Sequence, residues 1–233
     1  MKQLHKMNIT NIGGRSCTIY ADDTPSVLLI QPADKREAET LDKEIAHIKS
    51  LTVMSFVFAA FEISDWNSEL SPWEAPPVFG KEPFGKGADS TLAYIEETLI
   101  PNLQERFSLN SDIPVVLGGY SLAGLFALWS GYTSDRFTAI AAASPSVWFQ
   151  GWSEFTDNHS PAPNRIYLSL GKKEERTRNN VMAAVGDNIR RQYDKLKTQG
   201  VDVALDWNEG NHFTEPEIRT AKGFAWCIDT KFI

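Results

Sequence analysis

Apolar and polar positions alternate along this chain in two textures. Val27 to Ile30, Val53 to Ala60, Val115 to Leu117, Phe137 to Ala143, Ile166 to Leu170 and Val201 to Trp207 are short, almost wholly apolar runs and read as buried strands. Pro32 is expected to end the first of them. Between the runs the apolar residues recur at helical spacing. The charged stretch 34–50 keeps Leu41, Ile45 and Ile48 on one face, and Leu92, Ile95, Leu99, Leu103 and Phe107 repeat at three and four, with Pro101 set to kink or break that helix. Residues 121–129 are apolar almost all round, as in a helix buried against a sheet. Val181, Val185, Ile189, Tyr193 and Leu196 line a long helix ended by Gly200, and a last helix covers 215–228. Strands without a polar face, separated by helices, predict a mainly parallel sheet covered on both sides. The fold class expected is α/β, in three layers.

One stretch fits neither texture. Residues 62–87 carry Trp66, Trp73 and four prolines and no clear period. So long a loop in a compact domain is more often functional than idle.

Composition narrows the partners. The 233 residues contain no Pro/Gly/Ser-rich linker, so a single domain over 1–233 is expected. A net charge of −7 disfavours nucleic acid and anionic membranes, both of which attract a basic field. No apolar run is long enough for a membrane span, and the basic start Lys2 to Lys6 has no apolar stretch behind it as a secretory leader would. Cys17 and Cys227 form no CxxC pair and read as reduced thiols, which makes the cytoplasm the expected location. Neither a metal nor an organic cofactor has ligand spacing here. Oligomeric state is not legible.

Candidate chemistry begins at Ser121. The sequence Val115-Val116-Leu117-Gly118-Gly119-Tyr120-Ser121-Leu122-Ala123-Gly124 puts a serine in a sharp turn between a buried strand and a buried helix. A nucleophile elbow holds its serine in strained geometry and needs small residues two before and two after. Gly119 and Ala123 stand there, the second in place of the usual glycine. The helix start would aim the Leu122 N–H at an oxyanion. A serine that merely caps a helix is the plain alternative.

In this fold the acid and then the histidine follow the serine along the chain. His212 lies in the turn-rich Glu209-Gly210-Asn211-His212-Phe213, after the last strand and before the last helix. His159 falls too early, in a polar Pro-flanked stretch, and His5 and His47 precede the serine and read as surface residues. The acid should follow the strand 166–170, where Glu174 and Glu175 both stand, with Glu174 favoured and Asp206 a weaker third. Its task would be to fix the imidazole tautomer and stabilise the imidazolium. A Lys-Lys-Glu-Glu run is otherwise a solvated turn.

These residues resemble the putative-esterase family of α/β-hydrolases, which includes enterochelin esterases, feruloyl esterases and S-formylglutathione hydrolase. The likeness rests on residues 119–124, on Ala143-Ser144-Pro145-Ser146-Val147-Trp148, on Gly171 with Glu174, on Gly210-Asn211-His212, and on the segment 66–73. The resemblance implies a three-layer α/β-hydrolase fold without a large lid and a small-molecule ester substrate of aryl, feruloyl or siderophore type. It implies a second oxyanion donor at the backbone N–H of Glu62 or Ile63, and a pocket wall around Trp66 and Trp73. Tyr120 and Trp148 join the expected pocket residues, Trp148 because it follows a strand at the rim where open α/β sheets bind ligands. Loop packing is the equal alternative for Trp148. No arginine stands near Ser68, where family members often carry one, which speaks against an arginine-dependent substrate contact. Few basic residues near the motifs, Lys81 and Lys86 apart, speak against an anionic catecholate. Acyl transfer by the same triad, and a non-catalytic binding role on a hydrolase scaffold, are the rival expectations.

Overall fold

The computed structural model describes residues 5–229, with side chains from residue 10 onward. Its strands are β1 (His5–Ile12), β2 (Arg15–Ala21), β3 (Val27–Ala33), β4 (Phe56–Glu62), β5 (Val115–Tyr120), β6 (Ala139–Ala143), β7 (Arg165–Gly171) and β8 (Asp202–Asn208). Its helices are α1 (Lys35–Leu51), α2 (Trp66–Glu69), α3 (Ala88–Tyr94), α4 (Ile100–Arg106), α5 (Leu122–Thr133), α6 (Trp152–Asn158), α7 (Asn180–Ala183), α8 (Val185–Thr198) and α9 (Pro216–Cys227). The strands form one sheet in the order β1-β2-β4-β3-β5-β6-β7-β8. β2 runs antiparallel to β1 and β4, and the remaining pairs are parallel. This is the mainly parallel, helix-covered sheet that the apolar runs predict.

Because side chains alternate along a strand, the central strands feed two separate cores. Val27 and Leu29 of β3 pack with Leu41, Ile45 and Ile48 of α1 and Phe224 of α9. Leu28 and Ile30 face the other way, into the layer of α3, α4, α5 and α8. Helix α1 starts where Asp34 accepts from the Arg36 and Glu37 N–H groups while the Glu37 side chain accepts from the Asp34 N–H, a complete capping box.

Several elements depart from the sequence pattern. The hairpin β1–β2 was not expected: β2 alternates polar and apolar residues, so it lacks the continuous apolar run that marks a central strand. Pro32 does not end β3 but pairs with Phe61 of β4. It is tolerated because the β3–β5 pairing stops at Ile30, leaving no ladder bond for its missing N–H to break on that side. Upstream of Pro101 the helix widens into a π-helical turn at Ile95–Leu99. Val181 belongs to the separate α7 and is 48% exposed, so the buried face of α8 is Val185, Ile189, Gln192 and Leu196 instead. Helix α6 has no clear apolar period and stands outside the strands and helices that the sequence pattern predicts.

Among the described residues no helix is long and apolar enough to cross a membrane, and no cluster of His, Cys, Asp and Glu has the makings of a metal site. Cys17 and Cys227 are unpaired and buried.

Candidate active site

The parallel strands β5, β6 and β7 all end on one rim, and the candidate residues sit in the loops that leave it. Ser121 follows β5 directly, at φ 59° and ψ −119°, a strained conformation for a non-glycine residue. Its own N–H donates to the Ala143 carbonyl of β6 at 3.1 Å, which pins the turn to the neighbouring strand. Gly119 is required here, because a Cβ on it would lie 2.7 Å from the Cβ of Ala123. One methyl fits in that space and two would not. The backbone carbonyl of Ala123, with its carbon at 2.8 Å and oxygen at 2.9 Å from that Cβ, bars a side chain at 119 as well.

The acid sits on the loop after β7. Glu174 is 7% exposed, and its Oε1 accepts from the Gly171 N–H at 2.7 Å, the Ser144 hydroxyl at 2.8 Å and Arg219 Nη1 at 2.9 Å. Its Oε2 lies 2.7 Å from His212 Nδ1. Burial pushes the carboxyl up, but the His212 hydrogen bond and charge, with the Gly171 and Ser144 donors, outweigh it and hold Glu174 below its ordinary value. Glu175 turns away and pairs with Arg190 of α8 at 3.0 Å. Asp206 accepts from the Tyr167 hydroxyl at 2.9 Å, away from the histidine. Of the three acids that the sequence offers, Glu174 is the one brought within hydrogen-bond distance of His212.

His212 completes the line, its Nε2 3.0 Å from Ser121 Oγ. His159 is exposed and stacks on Phe155 at a centroid distance of 4.3 Å, away from the serine. His47 is half-buried on α1, and the His5 side chain lies outside the described residues.

Other residues enter the site that the sequence did not single out for chemistry. Ser144, at φ 42°, turns its hydroxyl onto Glu174, and the buried Ser146 puts Oγ 3.5 Å from Ser121 Oγ. Arg219 of α9 binds Glu174 from the side opposite His212. A signal for it existed: a cation in the first turn of a helix opposes the helix dipole and needs a partner.

A cavity of about 440 Å³ opens beside His212. Trp148, Met182 and Phe213 give it apolar walls, and Lys173 and Arg176 add two cations. A depression of about 510 Å³, lined by Tyr167, Asp206 and Trp226 among others, contains none of the three aligned residues. Of the four expected pocket residues only Trp148 lines the cavity beside His212. Tyr120 is 5% exposed and donates its hydroxyl to the His212 carbonyl at 2.7 Å; burial and the Glu174 charge push its pKa up to about 12, so it stays a donor. Trp73 donates to the Gln150 carbonyl at 2.7 Å and packs edge-on against Phe149. Trp66 packs against the main core.

The family model described as "Putative esterase" matches residues 31–214. The chain belongs to this esterase family. A curated relative, the siderophore triacetylfusarinine C esterase of Aspergillus fumigatus, is 28% identical over 136 residues, which is 58% of this chain and 43% of that protein. The chain therefore matches less than half the length of that relative. Among solved structures, the siderophore hydrolase EstA from Aspergillus nidulans superposes with a TM-score of 0.71 at 19% identity, covering 97% of this chain and 94% of that one. An IroE-like serine hydrolase from Shewanella oneidensis gives 0.74 at 16% identity, covering 97% and 79%. At these identities the structures establish a shared fold, the α/β-hydrolase arrangement without a large lid.

Two features drawn from the esterase family look different in three dimensions. Of the two amides offered as second oxyanion donor, the Ile63 N–H already donates to the Ala33 carbonyl at 3.0 Å. An arginine does come close to the segment that follows β4: Arg15 of β2 pairs with Glu69 at 2.6 Å. Lys86 is paired with Glu74, while Lys173 and Arg176 bring positive charge to the cavity instead.

Proposed function

We propose that this member of the esterase family is a serine hydrolase of carboxylic esters. The observation that carries the reading is the unbroken line from Ser121 Oγ to His212 Nε2 at 3.0 Å and from His212 Nδ1 to Glu174 Oε2 at 2.7 Å. His212 takes the hydroxyl proton as Ser121 Oγ bonds to the ester carbonyl carbon. The negative charge moves to the carbonyl oxygen, where the Leu122 N–H can meet it. As the first residue of α5 that amide has no partner within the helix. The Glu62 N–H is the remaining candidate for a second donor. Each such donor contributes about 2.7–4 kcal/mol of barrier lowering. Collapse expels the alcohol, which takes the proton from His212 and leaves an acyl-enzyme on Ser121. Water, deprotonated by His212, then releases the acid and restores the hydroxyl. Glu174 stays ionised throughout, holding the imidazole and balancing its charge.

For substrate we propose a siderophore-type ester, the class named for the Aspergillus fumigatus relative. The cavity supports a ligand with both apolar and anionic parts, since Trp148 and Phe213 share its wall with Lys173 and Arg176. Turnover of p-nitrophenyl acetate, p-nitrophenyl ferulate and an ester-linked siderophore by the chain and by Ser121→Ala tests both levels. The reaction class requires that the variant lose all three activities. The substrate class requires that the siderophore have the highest kcat/KM. Undiminished turnover by Ser121→Ala would sink the mechanism, and a preference for the ferulate would replace the substrate.

A further inference from the structure

A buried arginine beside a buried acid is costly. The guanidinium loses its water, and an apolar pair of similar volume is often as stable. Arg219 is 1% exposed, yet both of its terminal nitrogens are engaged. Nη1 lies 2.9 Å from Glu174 Oε1, 3.0 Å from the Tyr120 hydroxyl and 3.3 Å from the Ser144 hydroxyl. Nη2 donates to the carbonyls of Glu209 at 2.8 Å and Asn211 at 2.9 Å, the residues that lead into His212. Tyr120, next to the serine, donates in turn to the His212 carbonyl at 2.7 Å. One guanidinium therefore ties together the three loops that carry the serine, the acid and the histidine.

Room has been made for it. A Cβ on Gly171 would lie 2.8 Å from the Gly210 carbonyl oxygen, 2.9 Å from Arg219 Nη1 and 2.9 Å from Glu174 Oε1. Only glycine at 171 lets the acid, the arginine and the histidine loop converge. A lysine could supply charge to Glu174, but its single ammonium lacks the planar fork that serves Glu174 and the histidine-loop carbonyls at once.

We infer that Arg219 is a positioning residue for the catalytic step: it orients Glu174 by one nitrogen and fixes the backbone that carries His212 by the other. The inference rests on the serine-esterase reading and goes beyond it. It touches no substrate, so its loss should lower kcat and leave KM in place.

The test compares Arg219→Met, Arg219→Lys, Tyr120→Phe and Ser121→Ala on p-nitrophenyl acetate, with kcat referred to sites titrated to completion by a fluorophosphonate. Arg219→Met should lose about 100-fold in kcat per titrated site, the scale of a misplacement of about 1 Å, with KM within about twofold. Arg219→Lys should recover part of that loss. Tyr120→Phe keeps the Arg219–Glu174 pair and removes the hydroxyl that joins Arg219 Nη1 to the His212 carbonyl. It should lose about 10-fold in kcat and decides the matter if the Met variant does not fold. Wild-type kcat per titrated site in Arg219→Met, or in Tyr120→Phe where the Met variant is unfolded, would overturn the inference. Turnover retained by Ser121→Ala would instead overturn the esterase reading beneath it.

Discussion

The two sides of the candidate site are built differently. On the side of Glu174 and Arg219 nearly every polar atom is buried and bonded, and the partners come from β5, the loops after β6 and β7, and α9. On the other side Trp148 and Phe213 line the cavity, Trp148 is backed by Phe79 and Phe84 in edge-on and tilted contact at centroid distances of 6.1–6.4 Å, and Phe79 is 54% and Phe213 86% exposed. The first arrangement holds each donor and acceptor within hydrogen-bond reach by several partners, as proton transfer needs. The second offers surface and tolerates substitution. Catalysis and recognition thus draw on separate parts of one rim, and changes on the two sides should leave different kinetic signatures.

The largest effect should come from the buried side. Glu174→Gln removes the acceptor that fixes the histidine tautomer and should lower kcat by about 10⁴-fold, while Glu175→Gln, on a residue paired with Arg190, should stay within about twofold. Equal losses in the two variants would dissolve the distinction between them. A smaller effect is expected on the open side. Trp148→Ala should raise KM by about 10-fold for an aryl ester, with kcat little changed, because binding surface is lost and the triad is not. A fall in kcat without a rise in KM would place Trp148 with the catalytic machinery.

The smallest effect is one of stability and pH. The folded-state value of Glu174 lies below its ordinary 4.5, so its charged form favours the folded chain above that pH. That contribution is lost as pH falls through the lower folded value. Between pH 6 and pH 3 the melting temperature of Glu174→Gln should therefore fall less steeply than that of the parent chain. A steeper fall would show that the carboxyl is not held in its charged form.

The contrast also explains what was legible in the sequence. Ser121, His212 and Glu174, the proposed catalytic line, could be singled out because each stands at a fixed place in a strand–loop–helix sequence, and local pattern reveals such places. The central strands were legible because they are apolar on both faces. β2 was not, since its alternation carries no continuous run. Arg219, Ser144 and Ser146 were missed as members of the site because their meaning lies in partners as far as 25 to 99 residues away. The aromatic wall misled in the other direction. Trp66, Trp73 and Tyr120 stand where a pocket lining was expected, yet packing and hydrogen bonds hold them elsewhere, and only the fold could sort them from Trp148.

The central claim is that Ser121, activated by His212, is the nucleophile. Its most direct test is peptide mapping by mass spectrometry after brief exposure to a fluorophosphonate. The account predicts a single phosphonyl adduct on Ser121, formed rapidly in the parent chain and at least about 100-fold more slowly in His212→Ala. An adduct on another residue, or equal rates in the two proteins, would contradict it.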